Sequence, residues 1–142
     1  MDVSSFEKLE VFSKISIIRS GSTHEGTLGK GVVMLLEGIE ELGSLNKAAK
    51  KLGMAYSKAW RIVKETEQGF GFDLIVRDGA RGSTLTDEGR VLVRIYRQIQ
   101  RESSEFANER FREEVGKLSD DWPSDDDGSG ESGPDARWTP DA

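Results

Sequence analysis

The sequence predicts a mainly α-helical domain with a small β component, and three stretches of the chain carry that prediction. Residues 43–68 have the pattern of two helices joined by a tight turn. Residues 74–85 have the pattern of two short strands with a glycine-rich connection. Over residues 87–115 apolar side chains recur at helical spacing, a helix of about 40 Å at 1.5 Å per residue. This order of elements is typical of a winged helix-turn-helix domain with a long C-terminal helix.

The composition limits the class of protein. A chain of 142 residues has room for one domain and a tail. It contains no cysteine, which excludes a disulfide framework and a thiolate metal site. No apolar run reaches the ~20 residues that span a bilayer, and residues 1–11 lack the basic-then-apolar pattern of a secretion signal. We therefore expect a soluble, cytoplasmic protein with no membrane partner.

The net charge of −6 is unevenly distributed along the chain. Residues 119–142 contain eight acidic residues and one basic residue, which leaves a net charge of +1 for residues 1–118. The segment 119–142 is also rich in Pro, Gly, Ser and Asp, so we expect a disordered acidic tail. Trp122 and Trp138 within it either dock the tail or have no role. The domain itself is expected to span residues 12–118, after an N-terminal extension of residues 1–11.

The domain is expected to begin with a β-hairpin and a helix. Residues 12–19 partly alternate between apolar and polar side chains and are rich in β-branched residues, which favours a strand. Thr27 and Leu28 are placed to form the returning strand after a glycine- and serine-rich loop. His24 lies in that loop with no second ligand nearby, so we do not expect it to bind a metal. The helix predicted over residues 30–42 has an apolar stripe at Val32, Leu35, Leu36, Ile39 and Leu42.

Residues 43–68 carry the predicted helix-turn-helix. Gly43 ends the preceding helix, Ser44 is placed to cap the next, and Gly53 supplies the left-handed turn between the pair. The inner face of the first helix is predicted to comprise Leu45, Ala48, Ala49 and Leu52. The inner face of the second, which begins near Ala55, is predicted to comprise Ala59, Ile62, Val63 and Thr66. The small alanines allow a close crossing, as a helix that enters a major groove requires.

The outward face of the second helix is basic. Residues 45–67 contain six basic and two acidic residues, a net charge of +4. A charge run on a helix is commonly only a solvated face, but beside a helix-turn-helix pattern it favours contact with double-stranded DNA. Trp60 is expected to be at least partly buried. The predicted DNA-binding residues on this helix are Tyr56, Ser57, Lys58, Arg61 and Lys64.

The two strands that follow are predicted to form the wing. Residues 74–77 are rich in β-branched side chains, residues 78–83 have turn chemistry, and Thr84 and Leu85 can return as the second strand. Arg77 and Arg81 are predicted to meet DNA phosphates, or else only to aid solubility.

The last helix is predicted to be capped by Thr86, with acidic residues in its first turn where the helix dipole favours them, and to end at Gly116. Because it is longer than a small domain needs to cover its core, we expect it to form a homodimer. The alternative is that its apolar face packs only on the first helix. The predicted dimer seam comprises Leu92, Ile95, Tyr96, Ile99 and Phe106.

One part of the chain resembles a known family. Over residues 12–105 the sequence is similar to the N-terminal winged-helix domain of ModE-type molybdate-responsive transcription regulators, and more so to their single-domain relatives. That resemblance implies a dimeric DNA-binding winged helix. The wing is shorter than is usual in the family, and Glu67 stands where the family tends to have Asn. The matching residues are Gly43, Ser44, Ala48, Ala49, Leu52, Gly53, Met54, Tyr56, Ser57, Ala59 and Trp60.

The resemblance does not extend to the effector. ModE-type regulators bind molybdate in a separate C-terminal domain, and the 24 residues after Leu118 are too few and too acidic to form one. We therefore expect no molybdate-binding domain and no cofactor in this chain.

The function predicted from these patterns is that of a homodimeric transcription regulator that reads the major groove, of molybdenum- or other metal-related genes. The alternative is a protein-interaction module that keeps the fold without sequence-specific DNA binding, which the short wing, Glu67 and the near-neutral body favour. We expect no enzyme and no catalytic or metal-binding residues, because the GxSxG, HExxH and P-loop patterns are missing. Gly26, Gly29 and Gly31 do not have the order of a dinucleotide fingerprint.

Overall fold

The computed structural model describes residues 1–21 and 26–118. The chain divides into a unit of residues Val11–Asn108 and a second unit that includes Met1–Glu10 and the residues from Glu109 onward. The predictions for His24, for the acidic tail of residues 119–142 and for its two tryptophans lie outside the described residues. Within the described ranges, no helix combines the length and apolar character that crossing a bilayer would require.

The helices and strands follow the predicted order, and the mainly α-helical class with a small β component is confirmed. The two strands pair antiparallel, with Ile75 opposite Leu85 and Arg77 opposite Ser83. The elements are α1 (Lys30–Leu42), α2 (Leu45–Lys51), α3 (Tyr56–Phe70), β1 (Ile75–Arg77), β2 (Ser83–Leu85) and α4 (Asp87–Gly116).

The predicted N-terminal β-hairpin is wrong in extent. Ile17 and Leu28 pair in one isolated antiparallel bridge, with N···O distances of 3.0 and 2.9 Å, and the described residues around them form no strand pair. The partner of the preceding segment is α4 instead. The backbone N–H of Val11 donates to Asn108 Oδ1 at 2.9 Å, and that of Ser13 donates to Ser104 Oγ at 3.2 Å.

The extended segment of residues 11–15 fits against α4 because the distance between its inward-facing side chains nearly equals the rise of one helical turn. Val11, Ser13 and Ile15 are half-buried while the residues between them are exposed, as in an extended chain. Two extended residues advance about 6.6 Å and four helical residues about 6 Å. Polar side chains one turn apart on α4 therefore reach successive inward-facing residues of the segment.

The core lies between the inner faces of α1, α2 and α3 and is closed by the wing and α4. Val32, Leu35, Leu36 and Ile39 of the predicted stripe on α1 are buried, whereas Leu42 is only half-buried. Val33, which the prediction missed, is fully buried as well. A Cβ at Gly38 would stand 2.7 Å from that of Ala48, so α1 and α2 cross at the closest distance that small residues permit. The other buried apolar residues are Leu28, Leu45, Ala48, Ala49, Ala59, Val63, Leu74, Ile75, Leu85, Val93 and Tyr96.

Tyr96 holds α4 to the rest of the unit Val11–Asn108. Its side chain is 1% exposed, and its hydroxyl donates a hydrogen bond to the carbonyl oxygen of Ile15 at 3.3 Å. Burial raises the pKa of the phenol above its ordinary value, so the hydroxyl remains protonated as a donor. One residue further on, Arg97 Nε donates to Glu37 Oε2 of α1 at 3.0 Å. The prediction that Tyr96 lies on a dimer seam is therefore corrected, because it belongs to the core of its own chain.

In the second unit, the described residues form a short 3-10 helix and the end of α4. The 3-10 helix Val3–Lys8 is capped by Asp2, whose Oδ1 accepts from the backbone N–H of Ser4 at 3.0 Å. On α4, Arg110 pairs with Glu113 and Glu114. These pairs are exposed, so solvent screens them and they contribute little to stability.

Candidate nucleic-acid interface

The turn residues predicted for the helix-turn-helix take the expected geometry. Gly43 ends α1 in the left-handed conformation with φ of 79°, and Gly53 adopts φ of 66° between α2 and α3. Ser44 Oγ accepts a hydrogen bond from the backbone N–H of Lys47 at 3.0 Å, which caps α2. These residues thus set the end of α1, the start of α2 and the turn before α3.

The two faces of α3 separate as the spacing predicts. Ala59, Val63 and Thr66 are buried and pack inward. Ser57, Lys58 and Arg61 are exposed, and Tyr56 at the first position of the helix is 44% exposed. The exposed face of α3 therefore carries Ser57, Lys58 and Arg61 together, as the sequence predicted.

The wing returns tightly against the turn between α1 and α2. The backbone N–H of Ser83 donates to the carbonyl oxygen of Gly43 at 2.8 Å. Gly82 has φ of 95°, and a Cβ on it would stand 2.2 Å from that same oxygen, so only glycine fits. Arg77 at the end of β1 and Arg81 in the 3-10 turn Gly79–Arg81 are both exposed.

Glu67 lies on the inward side of α3 rather than on the exposed face. It is 5% exposed, and its Oε2 accepts from the backbone N–H groups of Leu74 at 2.7 Å and Ile75 at 3.2 Å. Its Oε1 lies 3.0 Å from Lys64 Nζ, with the geometry of an ion pair rather than of a directed hydrogen bond. Glu67 therefore anchors the start of the wing, and its presence is no argument against DNA binding.

This contact changes the interpretation of Lys64. The sequence places it with Lys58 and Arg61 on one exposed face, but its side chain is 33% exposed and its ammonium compensates the buried carboxylate of Glu67. A contact from Lys64 to DNA would remove that compensation. Lys64 is thus a weaker candidate for DNA contact than its two neighbours.

Trp60 is exposed rather than partly buried as predicted, and two cations lie over its ring. Its side chain is 39% exposed, with Lys64 Nζ 5.7 Å and Arg77 Cζ 5.3 Å from the ring centroid. These are distances at which a cation is attracted to an aromatic face. The spacing of Trp60 and Lys64 is a helical signal visible in the sequence, whereas the contact with Arg77 depends on how the wing folds back.

The residues predicted for the dimer seam separate into two groups. Leu92 is half-buried against the core and Tyr96 is fully buried within it. Ile95, Ile99 and Phe106 are instead 40%, 46% and 67% exposed. Val91, which the prediction missed, is also 40% exposed. Val91, Ile95 and Ile99 are spaced by four and share one side of α4. The prediction followed the seven-residue spacing of Leu92, Ile99 and Phe106. It therefore missed the four-residue spacing that places Val91 beside Ile95 and Ile99.

No group of three or more His, Asp or Glu side chains that could hold a metal ion occurs in residues 1–21 and 26–118.

Comparison with known proteins shows what the helix-turn-helix region is similar to. Residues 33–90, from α1 to the start of α4, match the family model "Bacterial regulatory helix-turn-helix protein, lysR family". This stretch is therefore similar to the regulatory helix-turn-helix domain of the LysR family.

Two named relatives share this region. The molybdenum transport protein ModE of Azotobacter vinelandii is 36% identical over 91 residues, which are 61% of this chain and 33% of ModE. The HTH-type transcriptional regulator TdcA of Escherichia coli K12 is 37% identical over 67 residues, 47% of this chain and 21% of TdcA. This chain thus spans about a third and a fifth of these relatives. The resemblance to ModE is supported over the helix-turn-helix region.

Among solved structures, matches include a complex of the CbnR DNA-binding domain with DNA. It has a TM-score of 0.48 and 24% identity, and the match covers 59% of this chain and 94% of that domain. ArgP from Mycobacterium tuberculosis has a TM-score of 0.45 and 30% identity, over 56% of this chain and 30% of ArgP.

Proposed function

We propose that this chain is a transcription regulator that binds double-stranded DNA as a homodimer and places the exposed face of α3 in the major groove. The observation that carries the proposal is the exposed face itself. Lys58 and Arg61 are exposed whereas Ala59 and Val63 are buried, on a helix that follows the left-handed turn at Gly53. In helix-turn-helix proteins, the N-terminal residues of the second helix contact base edges in the major groove.

The wing and the start of α3 supply the contacts to phosphates. Ser44, Tyr56, Arg77 and Gly82 line one cleft between α2, α3 and the wing. Its hydroxyl groups, guanidinium and backbone are groups that bind phosphate oxygens in DNA complexes. Arg81 extends this surface from the 3-10 turn. Together these groups position α3, while Ser57, Lys58 and Arg61 read the sequence.

The homodimer is proposed to form through α4. Val91, Ile95 and Ile99 expose apolar surface along one side of the helix, with Phe106 further on. Burying such a stripe against a second copy is favourable, at about 25 cal/mol per Å² of apolar surface. Two copies would then present two α3 helices to two DNA half-sites.

The similarity to ModE supports control of molybdenum- or other metal-related genes, because that relative is named a molybdenum transport protein. As a regulator of transcription, the protein would act in the cytoplasm. The match to TdcA over the same region supports the regulatory class without the metal.

The contact from α3 is tested by Arg61→Ala. A lost contact to a base edge costs ~1–3 kcal/mol, so we expect affinity to fall about 5- to 150-fold, with relaxed sequence preference. The measurement is fluorescence anisotropy on the genomic fragment that the unmodified chain enriches most strongly from sheared DNA. A phosphate contact would weaken binding to all sequences alike.

The matched control is Arg101→Ala, which removes the same charge from an exposed position on α4. We expect it to retain affinity, and both variants to keep the melting temperature, because such surface changes stay within about 0.5 kcal/mol. Equal affinity of Arg61→Ala and the unmodified chain would contradict the proposed role of α3.

A further inference from the structure

β1 is attached to α3 near both of its ends. At its start, the backbone N–H groups of Leu74 and Ile75 donate to the carboxylate of Glu67. At its end, the guanidinium of Arg77 lies over the ring of Trp60, 5.3 Å from the centroid. β1 therefore runs along α3 in the opposite direction.

The two attachment points match in length. Trp60 and Glu67 are seven residues apart, about 10.5 Å along a helix. Leu74 and Arg77 are three residues apart, about 10 Å along a strand. Lys64 lies between the two points, four residues after Trp60 and three before Glu67, so all three share one side of α3. Its ammonium is 5.7 Å from the Trp60 ring centroid and 3.0 Å from Glu67 Oε1.

Lys64 and Arg77, the two cations beside Trp60, are not equivalent. The ammonium of Lys64 is held by the buried carboxylate of Glu67, so little of its charge remains for a DNA phosphate. Arg77 contacts only the neutral indole of Trp60 among the interactions that the structure records for it. A guanidinium over an aromatic face keeps its in-plane N–H donors available for bidentate contact with phosphate. Of the two cations beside Trp60, Arg77 is thus the one available for a DNA phosphate.

We propose that Trp60 is a positioning residue for Arg77, holding the wing arginine in the orientation in which it binds the DNA backbone. This inference rests on the proposed function. A free arginine side chain loses rotamer freedom when it binds, and ordering it beforehand reduces that loss. Trp60 therefore strengthens DNA binding through Arg77 and joins the wing to α3 as one surface.

The first test is a double-mutant cycle of DNA affinity. Trp60→Ala is expected to weaken binding roughly 2- to 5-fold, the effect of an exposed cation–π contact. Trp60→Phe, which keeps a smaller aromatic ring, should reduce the DNA affinity less than Trp60→Ala does. In the Arg77→Ala background, Trp60→Ala should have no further effect, because its role is exerted through that guanidinium. If the two losses multiply instead, Trp60 acts on DNA directly and the proposal is overturned.

The matched control is Phe72→Ala. Phe72 is 41% exposed and packs against Phe70 with a centroid distance of 5.7 Å. The change therefore truncates an exposed aromatic ring that is not part of the contacts among Trp60, Lys64 and Arg77. DNA affinity should be unchanged in this variant. A loss as large as that of Trp60→Ala would show a general effect of aromatic truncation and overturn the proposal.

The second test needs no DNA. In the NMR spectrum of the unmodified chain, the ring of Trp60 should shift the Arg77 side-chain protons upfield, and the shift should vanish in Trp60→Ala but persist in Phe72→Ala. Absence of the shift in the unmodified chain would overturn the proposal. If the shift is present but the chain binds no DNA, the proposed function fails while the contact remains, so the two failures are distinguishable.

Discussion

Glu67→Ala is expected to lower the free energy of unfolding by about 2–4 kcal/mol, because it leaves buried backbone N–H groups without an acceptor. The donors are those of Leu74 and Ile75, and the ammonium of Lys64 loses its partner as well. Domains of this size are stable by only ~5–15 kcal/mol, so the loss is a large fraction of the total. The measurement is the midpoint of urea unfolding of the full chain.

Two further variants separate the contributions. Glu65→Ala removes a carboxylate from an exposed position on the same helix and should change stability by less than about 0.5 kcal/mol. Glu67→Gln keeps an oxygen that can accept from both backbone N–H groups but loses the ion pair with Lys64. The midpoint of its urea unfolding should therefore lie between those of Glu67→Ala and Glu65→Ala. A midpoint for Glu67→Ala equal to that of Glu65→Ala would show that Glu67 does not anchor the wing.

Ile99→Glu is expected to convert a dimer into monomers and to abolish tight binding to a two-half-site operator. Ile99 lies between Ile95 and Phe106 on the exposed apolar side of α4, so the change would bury a carboxylate in the proposed seam. An unpaired buried charge is strongly unfavourable. A monomer makes half of the DNA contacts, so its affinity should fall far more than in any single-contact variant. Light scattering at tens of micromolar gives the mass.

The control change Arg101→Glu places a carboxylate two residues after Ile99, at an exposed position on a different side of the helix. It should leave the dimer and its DNA affinity intact. An unmodified chain that is monomeric at that concentration would refute the proposed homodimer directly.

Local chemistry explains why most element boundaries could be predicted. Thr86 Oγ1 accepts from the backbone N–H of Gly89 at 3.0 Å, as expected of a cap on α4. Ser44, Gly43 and Gly53 likewise fix their turns through their own side chain or backbone freedom. Each of these signals lies within a few residues of the structure that it determines.

The predictions that failed concern contacts between residues that are far apart in the sequence. The N-terminal segment has strand-like alternation, but its partner is a row of polar side chains on α4, about ninety residues away. The apolar spacing of α4 likewise cannot distinguish a side chain that packs inside its own chain, as Tyr96 does, from one that faces a partner. Glu67 was visible in principle, because it lies four residues after the buried Val63. A carboxylate at that position requires donors from another element, which the sequence alone does not identify.

The central claim is that the exposed face of α3 and the wing bind the phosphate backbone and bases of duplex DNA. The most direct measurement is the affinity of the full chain for a random-sequence duplex and for its enriched fragment as the salt concentration is raised. Counterion release predicts a linear fall of log K with log salt concentration, with a slope of about −0.9 per phosphate neutralised. We expect a steep slope for both duplexes, and tighter binding to the enriched fragment at every salt concentration. Undetectable binding at low salt, or affinity independent of salt, would contradict the claim and favour the protein-interaction module.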